Sequence, residues 1–173
     1  AVSMFLILIV VGFALVPGHD LTIVRAMNTL HTGWLGAVTT AIYFVFEPLP
    51  SIILTAVIAA MIWKLKDLRT AAAFAGLVAF TWIPSVVIKE IVHRPRPDIA
   101  LMPHPFLPVQ TDPSFPSGHT AFMVALFVAL TYVVRGTRWH LTVVTVGTLV
   151  TACLALALAI IVPASITWGL LHP

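Results

Sequence analysis

Charge is what this chain has least of. Lysine, arginine, aspartate and glutamate together supply 9% of its 173 residues. So few ions cannot cover the surface of a soluble domain, which excludes a freely soluble protein. Cysteine is nearly absent as well. Cys153 stands alone inside an apolar run, so no internal disulfide forms and the redox compartment is not indicated. The formal net charge is only +3, and the basic residues do not cluster as a nucleic-acid surface would require. No pair of carboxylates and no group of histidine and cysteine has metal-ligand spacing, so neither a metal nor a cofactor is expected. A cleavable leader is missing too. Ala1 opens in the middle of an apolar stretch and is not methionine, so the gene product is expected to start earlier.

What the chain does have is hydrophobic length. Hydrophobic residues make up 60% of it, and the mean hydropathy is +1.07. The expected fold is all-α: a polytopic membrane helical bundle over residues 1–173, one transmembrane domain. Residues 1–16 form an apolar run slightly short of the ~20 that a span needs, so this is a first helix lacking its start. Residues 19–31 space Leu21, Ile23, Val24, Met27 and Leu30 among polar residues, the pattern of an amphipathic helix lying on the membrane surface. Residues 33–63 are apolar but broken by Glu47-Pro48-Leu49-Pro50, which implies a short lead-in segment and then a second span. Glu47 is an acid near membrane depth, either functional or a helix-end partner at the interface. After a short charged loop (Lys64, Lys66, Asp67, Arg69), a third span covers residues 70–92, with Pro84 as a potential kink. A proline-rich loop leads to a fourth span at 118–134. Arg135-Gly136-Thr137-Arg138 make a tight turn, and a fifth span covers 139–162. The count is five clear spans and an incomplete sixth.

Under this topology Lys64, Lys66, Arg69, Arg135 and Arg138 share one side, which the positive-inside rule makes cytoplasmic. Arg25, Lys89, Arg94 and Arg96 lie on the other side. The asymmetry becomes persuasive once Lys89 and Arg96 are set aside for chemistry. Trp34, Trp63 and Trp139 fall near span ends, as interfacial aromatics do.

The chemistry concentrates around Pro116-Ser117-Gly118-His119-Thr120. Ser117 is a good N-cap residue, Gly118 admits close approach to the backbone, and an apolar run follows at once. The motif therefore sits on the first turn of a helix, where free amides and the positive end of the dipole favour a phosphate. His119 can supply a proton there. Lys89 ends the third span, and Arg96-Pro97 follows with six residues between the two cations. Arginine binds phosphate through a fork of donors and lysine adds a point charge, so both could stabilise the oxygens of a transferring phosphoryl group. Each cation alone would read as one snorkelling at a helix end. The spacing and the downstream turn favour phosphate binding.

The pair Lys89-x6-Arg96-Pro97 and Pro116-Ser117-Gly118-His119 resembles the first two signature motifs of the type 2 phosphatidic acid phosphatase superfamily, integral membrane lipid phosphatases. The longer stretch from Asp112 to Thr120 is similar to that of bacterial members acting on polyprenyl or glycerolipid phosphates. The resemblance implies that Lys89 and Arg96 hold the phosphate, helped by Ser117 and the Gly118 amide. It implies that His119 protonates the leaving group, and that a second histidine attacks phosphorus to give a phosphohistidine, without a metal. It further implies a lipid phosphate as substrate: phosphatidic acid, phosphatidylglycerol phosphate or polyprenyl diphosphate. The location expected is a bacterial plasma membrane, and the charge distribution above puts the motif loops on its periplasmic or exterior side.

The chain departs from the family at the third motif, Ser-Arg-x5-His-x3-Asp, which is not found. His172 has Ile166 where the arginine should stand, and no aspartate follows it. His140 adjoins Arg138 on the opposite predicted face. Residues 164–169 look like the start of the family's last span, so a segment near 160–163 is expected to be missing. Residues 164–171 would reach only ~12 Å as a helix, too short to cross. A catalytically silent or truncated member that binds lipid phosphate without turnover is therefore the alternative. An accidental motif match in a transporter or structural membrane protein is a more distant one. Among the remaining polar residues, His93 and His104 are expected to be solvated loop residues and His19 and His31 to face headgroups. Asp98 and Asp112 read as loop or turn residues.

Overall fold

The computed structural model describes residues 21–93, 96, 98–107 and 111–161. Among these the fold is entirely helical: six α-helices, one short 3-10 turn and no strand. They are α1 (Leu21–Asn28), α2 (Gly33–Val45), α3 (Pro48–Leu65), α4 (Leu68–Val92), α5 (Gly118–Val133) and α6 (His140–Ile161), with the 3-10 turn at Ile99–Leu101. The expected first span at 1–16, His19, and the tail with the incomplete sixth helix lie outside the described residues.

Helix boundaries follow local chemistry. Proline cannot donate a backbone hydrogen bond, so α2 stops short of Glu47 and Pro48 opens α3. Glu47 takes the N-cap position in extended conformation, where an acid suits the helix dipole, although its side chain makes no capping bond. Ser51, fully buried, bonds instead from its hydroxyl to the Phe46 carbonyl at 3.1 Å. Between α3 and α4 the expected charged loop shrinks to Lys66 and Asp67, because Lys64 and Arg69 are helical. Asp67 is the N-cap of α4, accepting from the Thr70 amide at 2.7 Å and the Thr70 hydroxyl at 2.8 Å. Lys66 donates to the Val133 carbonyl at 2.6 Å, placing a cation on the negative end of α5. Gly136, at φ 77°, takes the left-handed conformation that the turn between α5 and α6 requires.

Helices α3 and α4 are long and apolar enough to cross a membrane. Three further apolar helical segments, Gly33–Val45, Gly118–Val133 and His140–Ala155, are shorter. The Glu-Pro break explains the shortness of the first of these, and the serine-glycine motif sets the start of the second.

The described residues gather into two compact units. One comprises 21–42, 156–161 and the described part of 84–117; the other comprises 43–83 and 118–155. The core of the second unit uses regular stripes. On α4 the buried residues Ala71, Phe74 and Val78 recur at helical spacing, and on α5 so do Phe122, Leu126, Ala129 and Val133. Phe122 lies 5.0 Å from the Trp82 ring and 6.5 Å from the Phe46 ring, centroid to centroid. The outer faces are apolar, with Phe80, Leu65 and Leu141 all more than 70% exposed. Trp34, Trp63 and Trp139 are exposed at helix ends, as the sequence suggested.

Within this unit α5 and α6 pack closely. Gly147 of α6 illustrates this. A β-carbon there would stand 2.6 Å from Cγ and Cδ1 of Phe127 on α5, and 2.9 Å from its Cβ. Gly147→Ala would gain ~1 kcal/mol of helix propensity. It would lose about 1–3 kcal/mol to overpacking, since the crowded atoms include the root of the ring. A lower unfolding midpoint in mixed micelles is expected, and a raised one would refute the close contact.

Candidate functional site

Lys89 stands in the last turn of α4. The helix ends one turn later in a particular way. The His93 amide donates to the Lys89 carbonyl at 2.9 Å, and His93 itself adopts φ 42°. This is a left-handed terminal residue closing the helix with a single bond, a position usually taken by glycine. His93 is exposed, as expected for a loop histidine, but its backbone performs this helix-ending turn. Arg96 lies outside the helix, as a residue preceding proline should.

Lys89 and Arg96 are brought together on Asp112. The Lys89 ammonium donates to Oδ2 of Asp112. The Arg96 guanidinium donates from Nη2 to Oδ1 at 2.9 Å and from Nε to the Asp112 carbonyl at 2.9 Å. The burial is uneven: the Lys89 and Arg96 side chains are 17% and 18% exposed, whereas that of Asp112 is 45% exposed. Asp112 is a loop residue, as expected, and in addition it is the counter-ion of both cations. Asp98 does act locally, accepting from the Ala100 amide at 2.9 Å in the 3-10 turn. Burial alone would raise the pKa of Asp112. The hydrogen-bonded Lys89 and the charge of Arg96 outweigh it, and the carboxyl is held below its ordinary range.

The loop carrying Asp112 is pinned on both sides. Upstream, Met102 and Phe106 are buried; downstream, so is Ser114. The fully buried Asn28 at the end of α1 clasps the His104 backbone, accepting its amide at 2.8 Å and donating to its carbonyl at 3.0 Å. Nδ1 of His31 lies 3.3 Å from the same carbonyl, and its Nε2 lies 3.0 Å from the Thr40 hydroxyl. A carbonyl only accepts, so Nδ1 carries the proton. His31 therefore turns toward the loop rather than serving only as a headgroup contact, because this backbone needs partners. Asn28 was not singled out from the sequence. A lone amide at the end of an otherwise apolar-striped helix was the one available signal.

The motif itself begins α5, with Ser117 immediately before Gly118, the first helical residue. A β-carbon at Gly118 would meet nothing within 4 Å, so the space beside its backbone is open. The Gly118 carbonyl accepts from the Trp82 indole at 3.1 Å. His119 is half-buried, and its ring lies 4.5 Å from that of Tyr43, centroid to centroid. Nε2 of His119 lies 3.2 Å from the Tyr43 carbonyl and must be the donor there, which defines the tautomer of the neutral ring. Tyr43, buried near the end of α2, is the second residue that sequence reading missed.

Cationic donors converging on one anion are suited to binding an oxyanion; an open glycine backbone on the first turn of a helix is, by itself, suited to the same task. The family described as the PAP2 superfamily matches residues 67–172, well over half of the chain, and the chain belongs to that superfamily. Membership suggests phosphatase activity on phosphate esters. No curated protein and no solved structure matches the chain significantly.

The lowered pKa of Asp112 has a signed consequence. The ion pair stabilises the docked loop at pH above the ordinary carboxylate range, and that contribution is lost as pH falls through the lowered value. Asp67, whose pKa the Thr70 bonds also lower, contributes with the same sign, so a local probe is required. The side-chain Nε–H of Arg96 should stay protected from exchange from neutral pH to about pH 5 and lose protection only in stronger acid. Loss already between pH 7 and pH 6 would contradict the pairing.

Proposed function

We propose that this chain is an integral membrane lipid phosphatase acting on a phosphomonoester or diphosphate carried by a lipid. The observation that carries the reading is the convergence of Lys89 and Arg96 on a single carboxylate. Carboxylate and phosphate offer similar oxygens to a guanidinium fork, so donors that grip one suit the other.

In this reading Lys89 and Arg96 hold the non-bridging oxygens, and Ser117 and the Gly118 amide add donors at the positive end of α5. His119 is the acid for the leaving oxygen. Its Nε2, 3.2 Å from the Tyr43 carbonyl, fixes how the ring is presented. The family mechanism passes through a phosphohistidine formed on a histidine of the third motif. Phosphatidic acid, phosphatidylglycerol phosphate and polyprenyl diphosphate all present the required group.

The membrane arrangement belongs to the same proposal. The helices belong to one polytopic transmembrane domain, with α3 and α4 among its spans. Lys64, Lys66, Arg69, Arg135 and Arg138 are cytoplasmic, and the motif loops face the periplasm or exterior. The two long apolar helices and the exposed apolar faces support it.

A second reading has its own observation. The pattern Ser-Arg-x5-His-x3-Asp is not found in the 173 residues, so the chain as it stands could bind lipid phosphate without turnover. Phosphate release from phosphatidic acid in mixed micelles, measured beside orthovanadate binding, separates the two. Turnover with binding supports the phosphatase, and binding alone supports the silent form. Arg96→Lys should weaken vanadate binding by tenfold or more, because the fork is lost at equal charge. His119→Ala should leave vanadate binding within about threefold while removing any turnover by 10²-fold or more. Vanadate binding indifferent to Arg96 would overturn both readings.

A further inference from the structure

We propose that Asp112 is an internal occupant of the phosphate seat, a carboxylate that the substrate phosphate must displace from Lys89 and Arg96. The inference rests on the phosphate-binding reading above and adds to it the competitor.

The geometry supports displacement rather than permanent scaffolding. Asp112 engages both cations through both of its carboxylate oxygens, the bonding a phosphate would use. The cations are mostly buried, so leaving them without an anion would be costly. The carboxylate is nearly half exposed and can return to water at little cost. Its surroundings suit such a movement. Thr111 and Asp112 are exposed, whereas the loop is secured beyond them by Met102 and Phe106 on one side and Ser114 on the other. The carboxylate can therefore leave while the loop keeps its anchors. The exchange is one of ionic and hydrogen bonds only: Asp112 stays ionised and moves to solvent as the phosphate oxygens take its donors.

The competitor sets the apparent affinity. If the seat is vacated a tenth of the time, phosphate binds about tenfold more weakly than to an empty seat. Asp112→Asn removes the charge but keeps much of the local structure. Its amide oxygen can still accept from Arg96 Nη2, and its carbonyl still accepts from Nε.

The test is isothermal titration of the full chain in detergent with inorganic phosphate, and in a second arm with vesicles containing phosphatidic acid. Asp112→Asn should bind about tenfold more tightly than the unaltered chain in at least one arm, and the responding arm identifies free phosphate or lipid headgroup as the ligand. Unchanged or weaker binding in both arms overturns the proposal, since Asp112 would then only position the cations. Asp112→Ser serves if the asparagine variant does not fold. In the unaltered chain, saturating phosphate should move the Asp112 carboxyl carbon resonance to that of a solvated carboxylate; an unmoved signal also overturns it. An Arg96→Ala chain separates the two failures. If it binds phosphate as well as the unaltered chain, the seat itself is wrong. If it loses binding and Asp112→Asn gains none, only the competitor is wrong.

Discussion

Two cations held inside an almost uncharged protein need an anion, and that constraint organises everything near Lys89. The chain has nine basic residues in all. Most lie at helix termini facing water, where their charge costs little. Lys89 and Arg96 are different, because fewer than a fifth of their side-chain surfaces meet solvent. A buried charge must be paired or lose its proton, and a guanidinium cannot lose its proton. Asp112 supplies the counter-charge. The loop it sits on is tied to the end of α1 by Asn28 and to the connection after it by His31, so the electrostatic demand of the helix end is met through contacts far along the chain.

Helix ends do the chemical positioning here. α4 ends through the left-handed His93, which lets the chain leave the helix within one residue of Val92 and return Arg96 toward Lys89. α5 starts at Gly118 with no side chain beside its backbone, and its first turn carries His119 oriented by the Tyr43 carbonyl. Interiors of helices offer an apolar protein few polar groups. Their ends offer unsatisfied amides and carbonyls, and a chain with so few charges uses them for capping and, on the proposed reading, for binding as well.

Much of the helical framework was legible from the sequence, because its punctuation is local. Glu47-Pro48 separates α2 from α3, Asp67 begins α4, and Ser117-Gly118 begins α5, each within a residue or two of where the apolar runs break. The limits were also physical. The boundary residues Lys64 and Arg69 proved helical, since long cationic side chains extend a helix as readily as they leave it. The candidate cations were identifiable from spacing, yet their partner was not. Asp112 is 16 residues from Arg96 and 23 from Lys89, across a loop with no periodicity to read. Asn28 and His104 are 76 residues apart, as are Tyr43 and His119. Such pairs are made by tertiary packing, which hydropathy does not encode.

A site for lipid phosphate faces a problem of selectivity that a soluble phosphatase does not. The bilayer surrounding it is itself a dense array of phosphate groups, mostly diesters carrying a single charge. Two bare cations at that surface would bind any of them and stay occupied. A carboxylate already seated raises the requirement, because the incoming group must outbid it for the same donors. A terminal phosphate brings more charge and more free oxygens than a diester, and so competes better for a fork and an ammonium together. On the proposed reading, specificity for the terminal phosphate arises from this competition for the Lys89 and Arg96 donors. The modest exposure of Asp112 is then what makes the exchange reversible, because a fully buried carboxylate would bind too firmly to yield and a fully solvated one too weakly to discriminate.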